Sequence, residues 1–373
     1  MSTEVKLTYC KKCLMPTTRP RMTLDENGVC NACNWAKEKK TLDWASRWKE
    51  LEALCDKYRS RNSNKCDVIV PYSGGKDGAY IASMLREKLG MTPLVVTVRP
   101  PLEESIGEQN IKNFLELGFN HIMITPSRTV SKYIDKQEFI NKGIPMHAHM
   151  MAVQTVIFKC AVLFDIPFVM FAEEGESEYG GSTKLKNSHT YNMEDSIDLY
   201  LSGSNPKQYL GKFSEKELYW YTFPTKQELL DLKPEICHWS YFQDFNASVH
   251  RQYAIEKCGL QVRKERSSGS YESASTTDTR IIFLYFYLMY LKYGFGRAAS
   301  LASCDIRAGE LSRENALELA QKYDGEYPEK YIPEYLEYFD MTREEFDSVI
   351  DKWANKDLFK KVDGKWVPLF KMY

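Results

Sequence analysis

The sequence predicts an α/β protein with a parallel sheet at its centre, a small cysteine-rich module before the sheet and a mainly helical extension after it. The first observation is a series of short apolar runs separated by helical stretches, which is typical of strands buried on both faces. The second is a set of two Cys-x-x-Cys pairs near the start of the chain, and the third is an irregular, aromatic-rich pattern that settles into helices. The predicted domains are a four-Cys module at 1–40, a connecting helix at 41–64, an α/β domain at 65–200 and a mainly helical C-terminal region at 201–373.

Four apolar runs are predicted to be strands, and the stretches between them are predicted to be helices. The strands are 67–71, 94–98, 121–125 and 167–172, and the helices between them are 77–89, 107–118 and 148–164. Further helices are predicted at 41–62, 275–293, 312–323 and 342–355. Ligands of such sheets bind beyond the carboxyl ends of the strands, so we expect the site at that edge.

Composition and charge argue against several classes of protein. The chain has 373 residues of which 43% are hydrophobic, enough for a packed core, and a net charge of −1 gives no general reason to bind nucleic acid. The first nine residues contain no apolar signal region. The longest apolar or aromatic run, residues 281–291, is too short to span a bilayer. We therefore expect a cytoplasmic protein with neither a nucleic-acid nor a membrane partner.

The cysteine pairs predict a metal site. Cys10 and Cys13 are separated by sixteen residues from Cys30 and Cys33, which is the spacing of a four-thiolate zinc site. A module of about forty residues cannot build much core, so a metal would be needed for it to fold. Four thiolates close the coordination sphere, which makes the predicted Zn²⁺ structural. The alternatives are an iron–sulfur cluster, a redox dithiol pair or a chance arrangement.

The most informative stretch, residues 73–78, lies between the first predicted strand and the helix that follows it. Its glycines allow a ligand to approach the backbone, and the N-terminus of the helix favours phosphate. Lys76 would add a positive charge, and Asp77 could hold a Mg²⁺ ion that bridges phosphate oxygens. The alternative is an ordinary glycine-rich turn between a strand and a helix.

This stretch resembles the pyrophosphate loop, Ser-Gly-Gly-x-Asp-Ser, of ATP pyrophosphatases, which cleave ATP to AMP and pyrophosphate. It departs from that pattern at Gly78, where the pattern has serine, and it does not match the Walker pattern. We expect Lys76 and Asp77 to be catalytic and the adenosine to lie along the ends of the first two strands. The predicted nucleotide-binding residues are Ser73, Gly74, Gly75, Lys76, Asp77, Gly78, Val98 and Arg99.

Two further groups of residues are candidates for binding a substrate. Residues 173–182 follow the fourth predicted strand and combine acidic residues with a Gly-Gly-Ser turn, which could hold Mg²⁺ or sugar hydroxyls. Arg297, Asp305 and Arg307 could grip an anion from a short segment punctuated by glycine and serine. The alternatives are a solvated acidic loop and a structural ion-pair network. The predicted substrate-binding residues are Glu173, Glu174, Glu176, Tyr179, Gly180, Gly181, Ser182, Arg297, Asp305 and Arg307.

Other motifs are interpreted as structural. Gly294 and Gly296 belong to a formal match to a dinucleotide-binding pattern, but the pattern follows a helix instead of a strand, so Gly294 is predicted to end that helix. The isolated His189, His238 and His250 are interpreted as structural or exposed residues.

The order of these motifs along nearly the whole chain carries a family resemblance. The motifs are the four-Cys module with residues 9–20, the loop at 73–77, and the segments 292–297 and 305–313 near the end. The chain resembles the N-acetyl sugar amidotransferases of bacterial surface-polysaccharide and flagellin-glycan biosynthesis. Residues 98–101 and 178–182 are most similar to the pseudaminic acid branch of that family.

The resemblance implies a HUP-like pyrophosphate-loop ATPase fold with a zinc-ribbon-like module. It implies the cofactors ATP, Mg²⁺ and structural Zn²⁺. The implied reaction converts a sugar N-acetyl group to an acetamidino group through an adenylylated intermediate, with release of AMP and pyrophosphate. Arg297 or Arg307 could then bind the carboxylate of a nonulosonic acid or the phosphate of a nucleotide sugar.

Two other functions stay open at this point. A tRNA-thiolating enzyme of the same superfamily would combine similar motifs with a basic face, and a zinc-ribbon protein could bind a nucleotide without catalysis. The amidotransferase reaction needs neutral ammonia. No cysteine lies in a glutaminase nucleophile motif, so we expect a separate glutaminase subunit to supply the ammonia.

Overall fold

The computed structural model describes residues 5–61 and 65–372. Residues 1–4 of the predicted cysteine module, residues 62–64 at the end of the predicted connecting segment, and Tyr373 lie outside the described residues.

Five parallel strands form the central sheet. They are β1 (Val68–Pro71), β2 (Pro93–Val98), β3 (Asn120–Ile124), β4 (Phe168–Phe171) and β5 (Glu235–His238), in the order β3-β2-β1-β4-β5. Ile69 of the central strand pairs with Leu94 on one side and with Val169 on the other. The four predicted strands are confirmed. The sheet also continues past residue 200, because β5 pairs with β4 through Phe168 and Glu235.

Helices occupy both faces of the sheet and the region that follows it. In the first half of the chain they are α1 (Asn31–Glu38), α2 (Trp44–Arg61), α3 (Lys76–Glu87), α4 (Ser105–Leu115), α5 (Arg128–Lys142), α6 (His147–Phe164) and α7 (Gly175–Tyr179). In the second half they are α8 (Met193–Asp195), α9 (Lys226–Leu232), α10 (Trp239–Phe242), α11 (Ala247–Cys258), α12 (Ile281–Tyr293), α13 (Arg297–Ala308), α14 (Arg313–Tyr323), α15 (Ile332–Phe339) and α16 (Arg343–Trp353). A hairpin of β6 (Phe359–Val362) and β7 (Lys365–Pro368) follows α16.

The alternation of side chains along β1 divides the core into two layers. Val68 and Val70 lie in one hydrophobic cluster with residues of α2, α3, α4 and α11, whereas Ile69 lies in another with residues of α5 and α6. Successive side chains of a strand point to opposite faces, so a continuously apolar strand requires helices on both. The observed architecture is therefore the α/β fold that the apolar runs predicted.

Helix α6 is long and apolar enough, by length and composition alone, to cross a membrane. The window His147–Phe164 has a mean hydropathy of 1.3, and 61% of it is buried inside the structure. Ala152 and Val156 of this helix lie in the same core cluster as Ile69. The helix packs against the sheet, which accounts for its apolar composition.

The C-terminal region is mainly helical, as predicted, and has its own core. Phe139 of α5 stacks on Phe339 of α15 with ring centroids 4.9 Å apart, which joins this region to the sheet domain. Helix α12 begins at Ile281, six residues later than predicted. The residues just before it form backbone hydrogen bonds with the segment that precedes α4, through Asp278 and Arg280, and so are not helical. It ends at Gly294, which has a φ of +77° and confirms the predicted helix stop.

Candidate active site

The loop between β1 and α3 lies where the strand order reverses. From β1 the chain proceeds to β2 and β3 on one side, and β4 and β5 complete the sheet on the other. Such switch points are where open α/β sheets bind ligands. Gly74 has a φ of +87°, and a Cβ atom there would lie 2.8 Å from the carbonyl oxygen of Gly107. The loop therefore requires glycine at this position, both for its backbone angle and for its close approach to α4.

Gly78 occupies the position where the resembling pyrophosphate loop has serine. A Cβ atom at Gly78 would lie 2.8 Å from the carbonyl oxygen of Pro71 and 3.0 Å from the ring of Tyr72. The first turn of α3 thus contacts the end of β1 closely. A serine could enter only if this backbone moved, which explains physically why the chain departs from the pattern here.

Lys76 and Asp77 form an ion pair in the first turn of α3. Lys76 Nζ donates to Asp77 Oδ2 at 2.7 Å, and His250 Nδ1 lies 2.8 Å from Asp77 Oδ1. Burial raises the pKa of Asp77, but the charge of Lys76 and the hydrogen bond from His250 outweigh burial and lower it. Burial lowers the pKa of Lys76, and Asp77 more than reverses that effect. The loop therefore presents a fixed carboxylate and a fixed ammonium group.

His250 is the functional candidate that sequence reasoning missed. It lies on α11, 173 residues beyond Asp77, and its side chain is 2% exposed. A lone histidine in a helix has no local pattern that marks a role. Only the packing of α11 against α3 brings it to the loop of residues 73–78, which we call the phosphate loop after its predicted ligand.

Glu173 approaches the same loop from the end of β4. The hydroxyl of Tyr179 donates a hydrogen bond of 3.0 Å to Glu173 Oε1. Burial and the nearby charge of Asp77 raise the pKa of Glu173, while Lys76 opposes the shift. Two carboxyl groups close enough to perturb each other are suitable ligands for a divalent cation such as Mg²⁺.

A cavity of about 190 Å³ opens in front of Lys76. We call it the central cavity. It brings together residues that are far apart in sequence and that were predicted for different tasks. Its walls include Lys39, Lys76, Tyr179, Arg297, Asp305 and Arg307.

Helix α13 forms one wall of the central cavity. Arg297, Asp305 and Arg307 were expected in a short irregular segment, but all three lie on this twelve-residue helix. Arg297 lies over the ring of Phe286 at 5.2 Å, and its Nε is buried without a hydrogen-bond partner. Arg307 donates from Nη2 to the carbonyl oxygen of Glu178 at 2.8 Å, and its Nη1 is likewise buried and unpaired.

The two arginines and the aspartate differ in their partners. Within the described residues neither Arg297 nor Arg307 forms an ion pair with a carboxylate, so the expected alternative of a structural ion-pair network does not describe them. Asp305 accepts a hydrogen bond from the hydroxyl of Tyr271. The cavity wall thus includes two guanidinium groups whose charge no described carboxylate pairs with, which suits an anionic ligand.

Glu174, Glu176, Gly180, Gly181 and Ser182 shape the acidic loop and do not line the central cavity. Glu174 caps α7, because its carboxylate accepts hydrogen bonds from two backbone N–H groups in the first turn of that helix, at 3.2 and 2.9 Å. Glu176 accepts from an arginine of the cysteine module at 2.8 Å and from the N–H of Ser182 at 2.8 Å. Gly180 ends α7 with a φ of +93°, and a side chain on Gly181 would collide with Glu176.

Val98 and Arg99 lie away from the central cavity. Val98 is buried in the core, and Arg99 donates to Glu103 at 2.7 Å and to Glu108 at 2.8 Å. Arg99 lines a different cavity of about 280 Å³ near the ends of β2 and β3. Neither residue lines the central cavity, and their predicted role in nucleotide binding stays a prediction.

The four cysteines of the N-terminal module converge on one point. The sulfur atoms of Cys10, Cys13, Cys30 and Cys33 lie within 4.8 Å of one another, with Cys10–Cys33 at 3.9 Å and Cys13–Cys30 at 3.7 Å. Four thiolates at about 2.3 Å from a tetrahedral zinc ion would be separated by about 3.8 Å. The donor set and its spacing are compatible with structural zinc.

Comparison with known proteins identifies the C-terminal region. Residues 275–373 match the family model of the C-terminal domain of WbpG-like LPS biosynthesis proteins. This part of the chain is similar to that domain, and we refer to residues 275–373 as the WbpG-like domain. It carries α13, and with it Arg297, Asp305 and Arg307, so one wall of the central cavity comes from the WbpG-like domain. The match confirms the family resemblance for this part of the chain.

Solved structures show weak overall similarity to this chain. NMN synthetase from Francisella tularensis is 12% identical, with 75% of this chain and 92% of that chain covered at a TM-score of 0.31. NH3-dependent NAD synthetase from Campylobacter jejuni is 13% identical, with coverage of 52% and 93% at a TM-score of 0.29. A predicted tRNA methyltransferase subunit from Methanocaldococcus jannaschii is 16% identical, with coverage of 51% and 76% at a TM-score of 0.26. No curated protein matches the chain.

Proposed function

We propose that this protein is an ATP-dependent N-acetyl sugar amidotransferase that converts an acetamido group of a bacterial surface-glycan sugar to an acetamidino group. One observation carries the proposal. Lys76, in the loop that resembles a pyrophosphate loop, and two arginines of the WbpG-like domain face the same central cavity. In this proposal the loop would bind ATP and the wall with the two arginines would bind the sugar, which would hold the two reactants together.

The phosphate loop would bind the triphosphate of ATP. The N–H groups at the start of α3 and the ammonium of Lys76 offer positive potential to the phosphates. Asp77 and Glu173 would hold Mg²⁺, which neutralises the charge that develops on the departing pyrophosphate. Asp77 is suited to this task because its neighbours keep it ionised.

The opposite wall would bind the sugar. The guanidinium charges of Arg297 and Arg307, which line the cavity, suit a carboxylate or a phosphate, as in a nonulosonic acid or a nucleotide sugar. Tyr179, which donates a hydrogen bond to Glu173, lines the same cavity as Lys76 and the two arginines. The acetamido group would therefore lie next to the α-phosphate of ATP.

The proposed reaction has two steps. The acetamido oxygen attacks the α-phosphorus of ATP, the bond from that phosphorus to the bridging oxygen breaks, and pyrophosphate leaves. The product is an O-adenylyl imidate. Neutral ammonia then adds to the imidate carbon, a proton is lost from nitrogen, and the carbon–oxygen bond breaks to release AMP and leave the amidine.

Ammonia would come from a separate glutaminase subunit. The described cysteines outside the N-terminal module lie in helices or strands or, in the case of Cys66, just before β1. Cys160, Cys237 and Cys258 are buried, and burial raises the pKa of each of these thiols, which disfavours the nucleophilic thiolate. The proposed enzyme would act in the cytoplasm, where ATP is available.

The decisive test is high-resolution mass spectrometry of candidate acetamido sugars incubated with the protein, ATP, Mg²⁺ and ammonium. Replacement of oxygen by NH lowers the product mass by about one unit, and pyrophosphate should appear in equal amount with AMP. The control omits the sugar. Pyrophosphate release that depends on tRNA instead of sugar would contradict the proposal and favour a thiolating enzyme.

A further inference from the structure

We propose that His250 is a positioning residue that holds the Asp77 carboxylate in the orientation needed to bind the magnesium–nucleotide complex. The inference rests on the proposed ATP-binding function and adds a residue to it. His250 acts through Asp77 and is not proposed to touch the reactants.

The contact is short, buried and supported from three sides. His250 Nδ1 lies 2.8 Å from Asp77 Oδ1, and the histidine side chain is 2% exposed. The imidazole ring stacks on Tyr80 of α3 with centroids 4.1 Å apart and planes inclined by 17°. The ring of Phe245 also packs edge-on with the imidazole, with centroids 5.0 Å apart. The ring therefore has little freedom to rotate, and its Nδ1 stays directed at Asp77.

The two oxygens of Asp77 have partners of different kinds. Oδ2 contacts Lys76, which is exposed enough to line the central cavity and could turn toward a phosphate group. Oδ1 contacts His250, which packs against two aromatic rings. When Lys76 changes partner on nucleotide binding, the hydrogen bond from His250 would remain and keep the carboxylate from rotating away. A hydrogen bond to a charged group is also stronger than one between neutral groups.

The helix that carries His250 also reaches the central cavity. Ser248 and Arg251, on the same first turns of α11, line its wall. Arg251 is paired with Glu272 at 3.2 Å. Helix α11 thus connects the phosphate loop to the wall of the cavity through one rigid element.

The test compares two substitutions at position 250. In His250→Asn the amide nitrogen can take the place of Nδ1, whereas His250→Leu keeps an apolar side chain but removes the donor. We measure binding of Mg²⁺–ATP to the full chain by calorimetry, together with the unfolding midpoint. We expect His250→Leu to weaken binding about tenfold, equivalent to about 1.4 kcal/mol, and His250→Asn to stay within about threefold of wild type.

Two controls separate positioning from packing. Tyr80→Phe keeps the ring that stacks on His250 and should leave binding unchanged. In an Asp77→Ala background, His250→Leu should have no further effect, because its partner is gone. Equal losses in the Leu and Asn variants, or an effect of His250→Leu that persists without Asp77, would overturn the inference while leaving the proposed function intact. A wild-type protein that binds no Mg²⁺–ATP would overturn both.

A measurement on the nucleotide-free protein decides the matter if His250→Leu does not fold. In proton–nitrogen NMR spectra of histidine side chains, the wild-type His250 should carry its proton on Nδ1, and the signal should move in Asp77→Ala. An unchanged His250 signal in that variant would overturn the inference.

Discussion

Lys39 Nζ lies 2.9 Å from Glu178 Oε2, and both side chains are largely buried. Lys39 directly follows α1, the helix that Cys30 caps, and Glu178 belongs to the loop after β4. Trp35 of α1 also donates to Glu178, at 3.1 Å. The cysteine module therefore contributes to the wall of the central cavity. Loss of a zinc ion from the module should then disturb the cavity.

We predict that the protein binds one zinc ion per chain through its four clustered cysteines. Removal of zinc by a chelator, or Cys13→Ser, should lower the unfolding midpoint and weaken sugar binding, since Lys39 and Trp35 would lose their fixed positions. Elemental analysis and thermal unfolding check this. Cys66→Ser, outside the cluster, is the matched control. An iron–sulfur absorption band, or a variant with unchanged zinc content, would contradict the prediction.

We predict that Asp77→Asn reduces pyrophosphate release by about 100-fold or more, since the amide cannot neutralise and hold Mg²⁺ as a carboxylate does. The fold should be retained, because asparagine has nearly the same shape. The measurement is the initial rate of pyrophosphate formation, with circular dichroism to monitor folding. The exposed Asp56→Asn serves as control and should be fully active. An unchanged rate in Asp77→Asn would remove this residue from the magnesium site.

Arg297 should determine affinity for the sugar and not for ATP. In Arg297→Lys the charge remains but the planar set of donors is lost, so KM for the acetamido sugar should rise about tenfold while KM for ATP stays constant. Steady-state kinetics with each substrate varied in turn make the comparison. Arg343→Lys, on the surface of α16, provides the control. A rise in KM for ATP alone would place Arg297 at the nucleotide.

The buried Asp135 should make stability depend on pH. It accepts from the N–H of Ala148 at 2.7 Å and from the hydroxyl of Tyr338 at 2.8 Å. Burial raises its pKa to about 8, against about 3.9 in an unfolded chain. Between these values the folded state binds more protons than the unfolded state, so the contribution of this carboxyl group to stability falls as pH rises from about 4 to about 8, by at most about 1.4 kcal/mol per pH unit.

Asp135→Asn tests this directly. The amide cannot ionise, so the free energy of unfolding of the variant should rise relative to that of wild type between pH 5 and pH 8. Urea unfolding at several pH values gives the comparison, and Asp357→Asn at an exposed site is the control. Parallel pH profiles for Asp135→Asn and wild type would show that the carboxyl group does not titrate in this range.

We expect the isolated chain to use ammonium but not glutamine. With ammonium as nitrogen source, the rate should increase with pH because only neutral ammonia reacts. Glutamine should support the reaction only after a glutaminase partner is added. The assay supplies each source at matched nitrogen concentration. Efficient use of glutamine by the purified chain alone would contradict the two-subunit proposal.

Local patterns were sufficient for the elements of the sheet domain. The apolar runs around Ile69, Val96 and Val169 predicted buried strands, and Gly74 and Gly294 marked a loop and a helix end. They were insufficient for β5 and α13. The strand Glu235–His238 is short and lies in an aromatic-rich region, and the many small residues of α13 look like a loop although they pack closely against the cysteine module.

The sequence by itself determined the α/β class and the convergence of four cysteines, and it predicted phosphate binding by residues 73–78, because each depends on residues close together along the chain. The tertiary structure alone decided which distant side chains meet. It placed His250 on Asp77, joined Lys39 to Glu178 and moved Arg99 to another cavity. The physical reason is that periodicity and turn chemistry act over a few residues, whereas a site between elements depends on how helices pack on the sheet.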